Sequence, residues 1–278
     1  MTEKKKKVVV CLIVRMKSNR LPKKATIDIC GKPLIVRLIE RLKAAKTVDE
    51  IVLATSDHPD DAVLLEVAKR CGIQSFAGSQ NDVLSRFLDV ADKFDADVLI
   101  RVTGDNVFVD PEAIDRMVPH HLKTGADYTR TNWMPWGVTA ELLSSEMLHT
   151  LYDTIPDRNQ SEYLTLWAFD PERFHCEVLE APKEVHRRQY SLTVDTPEDH
   201  ALACKLFEDL PESPGGPRLE DIVRFLDNDP EYQGISDTSP IKLPHNQRTT
   251  FGEFMEMFAE RAELARKINR EKERAAGQ

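Results

Sequence analysis

The sequence is poor in cysteine, and the few it has follow no pattern. Cys11, Cys30, Cys71, Cys176 and Cys204 are scattered and form no CxxC pair, which speaks against a zinc ribbon or a disulfide scaffold. Cys11, Cys71 and Cys204 stand in apolar surroundings and read as small core hydrophobes. This usage fits a reducing, cytoplasmic setting. Positive net charge is missing as well. At a formal charge of -9 the chain lacks the basic face that general binding to nucleic acid or anionic membrane requires. Long apolar runs are absent too. The basic start MTEKKKK leads into VVVCLIV, which is too short to span a bilayer and carries no signal-peptide cleavage pattern. It reads as a buried strand. There is no internal repeat, no G-x-S-x-G, no H-E-x-x-H and no Walker-type phosphate loop.

What is present is an ordinary globular composition, 41% hydrophobic and 31% charged over 278 residues, enough for one large α/β domain with an added segment. The first hundred residues alternate between β-branched runs and helical periodicity. Val8–Val14, Glu50–Ala54 and Asp97–Val102 read as strands, with a short one at Gln74–Ala77. Leu34, Ile35, Leu38, Ile39 and Leu42 recur at helical spacing; Asp60–Arg70 and Asp82–Phe94 are further helices. Repeated β-loop-α units predict a parallel sheet with ligands beyond the carboxyl ends of its strands. Helices are also expected over Asp110–Thr124, Pro197–Leu210, Leu219–Leu226 and Phe251–Ala276, with a late strand at Gln189–Val194. Residues 1–226 read as the main domain and 227–278 as a loop and helical extension.

Three strand ends carry chemistry. Arg15 to Lys24 places five cations in ten residues just beyond the first strand. Triphosphate chemistry needs such cations to neutralise the departing pyrophosphate, although a charge run can equally be a solvated loop. Asp105 follows a strand in V-T-G-D and Asp195 ends another in L-T-V-D-T-P. Two strand-end carboxylates of this kind suit Mg²⁺, which takes oxygen ligands and often only one or two from protein. The alternatives are a turn role for Asp105 and, for Asp195, the N-cap of the helix at Pro197, with Thr196 as rival cap.

The order VRMKSNRLPKK…GKPLI…IERL resembles the N-terminal signature of cytidylyltransferases of the spore-coat polysaccharide F family, relatives of the acylneuraminate and KDO cytidylyltransferases. The strings IVLATSD, FAGSQNDVLSRF, RVTGDNVFVDPE and VDTPEDH follow in the family's order. The resemblance implies a Rossmann-like nucleotide-diphospho-sugar transferase fold, a three-layer α/β/α sandwich (GT-A-like) on a mostly parallel mixed sheet. It further implies a homodimeric nucleotidyltransferase that uses Mg²⁺ to transfer CMP from CTP to a sugar or small acidic acceptor.

Carried over by position, Arg15, Ser18, Arg20 and Lys24 surround the triphosphate, and Asp105 and Asp195 hold the metal. Arg15, Arg20, Lys24 and Asp105 are then the catalytic set. Ala54, Ser79 and Asp82 lie toward the base, and Glu141, Glu162 and Arg188 toward the acceptor. Lys17 and Lys23 stand where the family usually has glycine, and Ala77 where it has arginine. Arg86 reads either as a site residue or as a helix-surface ion-pair partner. Trp133 and Trp136 could stack on a sugar or fill a core. His120 and His121 lack metal-ligand spacing and read as surface or packing residues. Two other readings stay open: the same fold using GTP, UTP or ATP, and a silent subunit that binds nucleotide-sugars.

Overall fold

The computed structural model describes residues 5–18 and 20–276; the first four residues of the basic start, and Asn19 in the cationic loop, lie outside it. The chain opens with β1 (Val8–Ile13), a two-residue ribbon β2 (Asp28–Ile29) and β3 (Lys32–Pro33), and α1 (Leu34–Leu42). Then come β4 (Glu50–Ser56), α2 (Ala62–Arg70), β5 (Gln74–Gly78), α3 (Val83–Lys93) and β6 (Val98–Thr103). The middle holds α4 (Pro111–Thr124), β7 (Tyr128–Asn132), β8 (Glu141–Ser144), α5 (Ser145–Thr154), α6 (Leu164–Ala168) and β9 (Cys176–Glu180). Helices α7 (Pro197–Asp209) and α8 (Leu219–Asp227), the hairpin β10 (Pro240–Lys242) and β11 (Arg248–Thr250), and α9 (Phe251–Ala276) complete it.

Seven strands form one mixed sheet in the order β5-β4-β1-β6-β8-β7-β9. Strands β5, β4, β1 and β6 run parallel, and β8 is antiparallel to both of its neighbours. The chain winds outward from β1 to β4 and β5, then crosses to β6 on the other side. This reversal opens the crevice in which such sheets bind ligands. Strand β1 is buried on both faces because helices cover both. Val9 and Cys11 join one apolar cluster with α3, while Val10 and Leu12 join another with α1 and α2.

The sheet departs from the sequence reading at its far edge. Gln189–Val194 forms no strand; only Ser191 makes an isolated parallel bridge, to Trp136. The edge position belongs to β9, parallel to β7. Alternating apolar residues mark residues 189–194 as extended, but an extended segment becomes a strand only where a neighbour offers a free edge. Gly137 lets the two backbones come close at this crossing, where Trp136 and residues 190–192 exchange two hydrogen bonds. A Cβ on it would lie 2.6 Å from the Thr193 nitrogen.

His121 on α4 is a packing residue: buried, its ring against the Thr129 hydroxyl at 2.8 Å. Burial pushes its pKa down from 6.5 to about 4. The unfolded chain therefore binds a proton that the folded chain refuses between those values, and stability falls as pH drops through that window. The loss at this site amounts to about 3 kcal/mol. In urea titrations at a series of pH values, His121→Gln should flatten the stability slope between pH 6.5 and about 4 relative to the unaltered protein.

Candidate active site

Local bonds aim the cationic loop. As the chain leaves β1, the Val14 amide donates to the Ala54 carbonyl at 3.2 Å and the Met16 amide to Asp61 Oδ1 at 2.7 Å. Leu21 is buried, and the Lys24 amide closes a turn onto the Leu21 carbonyl. Lys23 holds a left-handed backbone, φ 56°. A lysine held there costs about 1–2 kcal/mol of backbone strain relative to glycine. Gly104 lets the end of β6 approach β1: its amide donates to the Ile13 carbonyl, and a Cβ would meet Val14 Cγ2 at 2.6 Å.

The loop delivers Lys24 between the two aspartates. Its Nζ lies 3.0 Å from Asp105 Oδ2 and 2.7 Å from Asp195 Oδ1. Arg20 reaches the other Asp195 oxygen at 2.9 Å. Asp105 Oδ1 accepts from the Thr103 hydroxyl at 2.7 Å, and its carbonyl accepts from the Val194 amide. The capping question also resolves. Thr196 caps α7 in a reciprocal box with Asp199, whose carboxylate accepts from the amides of Asp195 and Thr196. Asp195 is left facing the cavity.

Electrostatics keeps this group charged. Burial alone would raise the pKa of Asp105, but the Lys24 ammonium and the hydrogen bonds from Thr103 and Lys24 outweigh it, and the net pKa is lowered. Burial works against the Lys24 ammonium too, yet Asp105 and Asp195 hold its pKa above the ordinary value. The pair is ionised across the neutral range. Asp105 Oδ2 and Asp195 Oδ1 thus converge on one cation, and their hard oxygens fit a divalent ion such as Mg²⁺ when phosphate oxygens and water complete its shell.

Around this group lie two adjoining cavities, of about 750 and 400 Å³. The larger is lined by seven cations, Arg15, Lys17, Arg20, Lys24, Arg86, Arg101 and Lys242, against only three carboxylates, Asp105, Glu162 and Asp195. An acidic protein has concentrated positive charge in one hollow. Ser18 lines it as well, its hydroxyl accepting from the Leu21 amide at 3.4 Å. Arg15 lies 3.8 Å from Glu162 and donates to the Gln80 carbonyl at 3.4 Å. The smaller cavity holds Glu141, Arg188, Trp133 and Trp136; Asp105, Asp195, Arg101, Glu162 and Lys242 face both.

Several expected residues sit differently. Ala54 is fully buried in the core, and neither it, Ser79 nor Asp82 lines these two cavities. Asp82 caps α3, accepting from the Ser85 amide, and the Ser79 hydroxyl accepts from the Asp82 amide. Glu141 reaches the smaller cavity, but its carboxylate is buried and engaged by Arg101, the Tyr128 hydroxyl and Thr165 at 2.9 Å. Burial pushes its pKa up; Arg101 and Arg130 together with the hydrogen bonds bring it below the usual value. Its work is to orient Arg101, its cross-strand partner. Arg187 pairs with Asp227 at 2.8 Å, whereas Arg188 faces the smaller cavity.

Arg101, Lys242 and Tyr163 were not singled out from the sequence. A lone cation inside DVLIRV was the available signal for Arg101, since a buried charge needs a partner. Arg86 is no surface residue. It is fully buried on α3, lines the larger cavity, and none of its three guanidinium nitrogens has a hydrogen-bond partner among the described residues. Burial and the nearby Arg15 charge lower its pKa. A buried donor set without acceptors destabilises the ligand-free fold. Arg86→Met should therefore raise unfolding stability in urea by about 1–3 kcal/mol, while shrinking the thermal shift that a nucleoside triphosphate produces.

Comparison with known proteins agrees with this architecture. The sequence profile of the cytidylyltransferase family matches residues 9–233. The chain is 32% identical over 231 residues to spore coat polysaccharide biosynthesis protein SpsF of Bacillus subtilis, covering 81% of this chain and 95% of that protein. A solved cytidylyltransferase from Leptospira borgpetersenii superposes with a TM-score of 0.75 at 25% identity, over 82% of this chain and all of that one. CMP:2-keto-3-deoxy-manno-octonic acid synthetase, solved with CTP, shares the fold with a TM-score of 0.57 at 19% identity, over 73% of this chain and 99% of that one. By its sequence, its sheet and its strand-end site, the chain belongs to the cytidylyltransferase family of nucleotidyltransferases.

Proposed function

We propose that this protein transfers CMP from CTP to an oxygen of an acidic sugar or similar small acid and releases pyrophosphate. The observation that carries the reading is the surplus of cations in the larger cavity, seven against three carboxylates, in a chain whose net charge is -9. A triphosphate is the compact polyanion such a hollow suits. Arg15, Ser18, Arg20 and Lys24 bind it, and Arg86 offers its unpartnered guanidinium from below. Asp105 and Asp195 hold Mg²⁺, which supplies charge neutralisation at the α-phosphate when bound. The acceptor occupies the smaller cavity beside Arg188 and Glu162. Its oxygen attacks the α-phosphorus in line, a hydroxyl acceptor releasing its proton to water, while the bond from that phosphorus to the bridging oxygen breaks and pyrophosphate leaves with the bonding pair. Lys24 and Arg20 bear the charge that develops. Residues 1–226 are the main domain in this reading and 227–278 an extension that adds Lys242 to the site; a cytoplasmic homodimer belongs to the same reading, on the family resemblance.

Relatives named as 3-deoxy-manno-octulosonate cytidylyltransferases support an acidic-sugar acceptor; one is 34% identical over 122 residues, 43% of this chain and 48% of that protein. Pyrophosphate release should be measured with CTP, GTP, UTP and ATP plus Mg²⁺, against 3-deoxy-manno-octulosonate, other sugar acids and sugar phosphates. CTP is expected to give the highest rate. Asp105→Asn should lower that rate by at least about 100-fold; undiminished release would remove Asp105 from the metal site. Thermal stabilisation by CTP with no turnover across the panel would instead indicate a silent binding subunit.

A further inference from the structure

The family match ends at residue 233, and the chain beyond it folds over the smaller cavity. Entry is tight. Gly234 turns with φ +67°, a Cβ there would meet the Gln189 carbonyl at 2.4 Å, and the Ile235 amide donates to that carbonyl at 2.6 Å. The β10–β11 hairpin then presents Ile241 and Lys242 to the cavity, and α9 presents Phe254, Met255 and Phe258. Helix α9 is clamped along its length. Phe258, Ala262 and Ala265 are buried in the main core, Arg261 donates to the carbonyls of Leu166 and Phe169 at 2.8 and 2.7 Å, and Asn269 donates to that of Cys176 at 3.0 Å. This is a built wall.

Two features face the space that the wall encloses. One is aromatic: Trp136 meets Phe254 edge-on at 5.8 Å, and Phe254 lies 4.6 Å from Phe258. The other is cationic. Arg130 stacks over Phe258 at 4.6 Å, with a buried Nη1 that has no partner among the described residues. Arg188 and Lys242 line the same cavity, and among the described residues none of the three is in an ion pair. Arg101, by contrast, is taken by Glu141.

We infer that residues 234–276 are the acceptor-selecting wall of this protein. The chamber takes an acceptor in which an anionic group, held by Arg130, Arg188 and Lys242, is joined to a ring whose apolar face lies against Trp136 and Phe254. The inference rests on the reading of the smaller cavity as the acceptor site. Aromatic faces hold the apolar face of a ring, and a desolvated guanidinium without a partner gains most from an anion. Lys242 faces both cavities, so the extension also touches the seam where transfer takes place.

Isothermal titration of the full chain, with CTP bound so that the larger cavity is filled, tests this with phenyl phosphate, inorganic phosphate and benzyl alcohol. Phenyl phosphate should bind about 10-fold tighter than inorganic phosphate, and benzyl alcohol more weakly than either. Phe254→Ala should erase the advantage of the ring. Because that change could also loosen α9, Ile241→Glu is the second variant. It sets a carboxylate on the wall and should weaken both phosphates by about 10-fold, with a thermal midpoint within about 3 °C of the unaltered protein. Equal binding of the two phosphates, or indifference to both substitutions, overturns the inference. Failure of the nucleotidyltransfer reading would look different: no CTP binding and no pyrophosphate release, with the chamber titration, run without CTP, still discriminating ring from no ring.

Discussion

One ammonium group between two carboxylates organises this protein. Lys24 Nζ contacts Asp105 and Asp195 at once, and those residues come from three separate segments: the loop after β1, the end of β6, and the turn before α7. Two half-buried aspartates converging in one cavity would repel each other and drive one toward its protonated form. The intervening Lys24 ammonium lowers the pKa of Asp105, and the aspartates in turn raise that of Lys24. The same arrangement leaves hard carboxylate oxygens on the cavity wall. Close backbone approach makes it possible. Gly104 lets β6 abut β1, and the Asp105 carbonyl ties to the Val194 amide.

Buried charge recurs around this centre in two forms with opposite consequences. Arg101 and Glu141 face each other across β6 and β8 with Tyr128 and Thr165 completing the carboxylate's bonds, so that pair is satisfied and rigid. Arg86 is more deeply buried than Arg101, and its guanidinium nitrogens have no hydrogen-bond partner among the described residues. The first arrangement costs little in the resting fold and sets the wall between the two cavities. The second stores unmet donors at the floor of the larger one, where an anionic or carbonyl-bearing ligand would meet them. Such uneven satisfaction is expected where a fold departs from maximal stability to serve a site.

The loop shows how a departure from the family pattern is absorbed. Lysine at position 23 holds a left-handed backbone, a conformation that favours glycine, and is exposed. Lys17 adds a cation to the cavity lining. The change is one of charge and of modest backbone strain.

Much was legible in the residues. Strands β1, β4 and β6 announce themselves because a strand covered on both faces must be apolar throughout, and helices α1, α3, α4 and α7 because burial on one face imposes their spacing. The cationic loop, Asp105 and Asp195 were legible through their places at strand ends. Beyond that, contacts between distant segments decided the outcome. Residues 189–194 carry a strand's alternation but found no edge to join, while β9 took the place beside β7. Arg86 reads locally as either a site residue or a surface ion-pair partner, and the packing of α3 across the sheet buries it. Asp82 caps α3 with Ser79 bonded to its amide, and Glu141 pairs with Arg101, through partners that local spacing does not reveal. Residue order alone marked the central strands, the helices beside them and the charged groups at the strand ends. Only the tertiary structure decided which charges share a cavity and that the C-terminal helix walls it, since burial and ion pairing depend on neighbours remote in the chain.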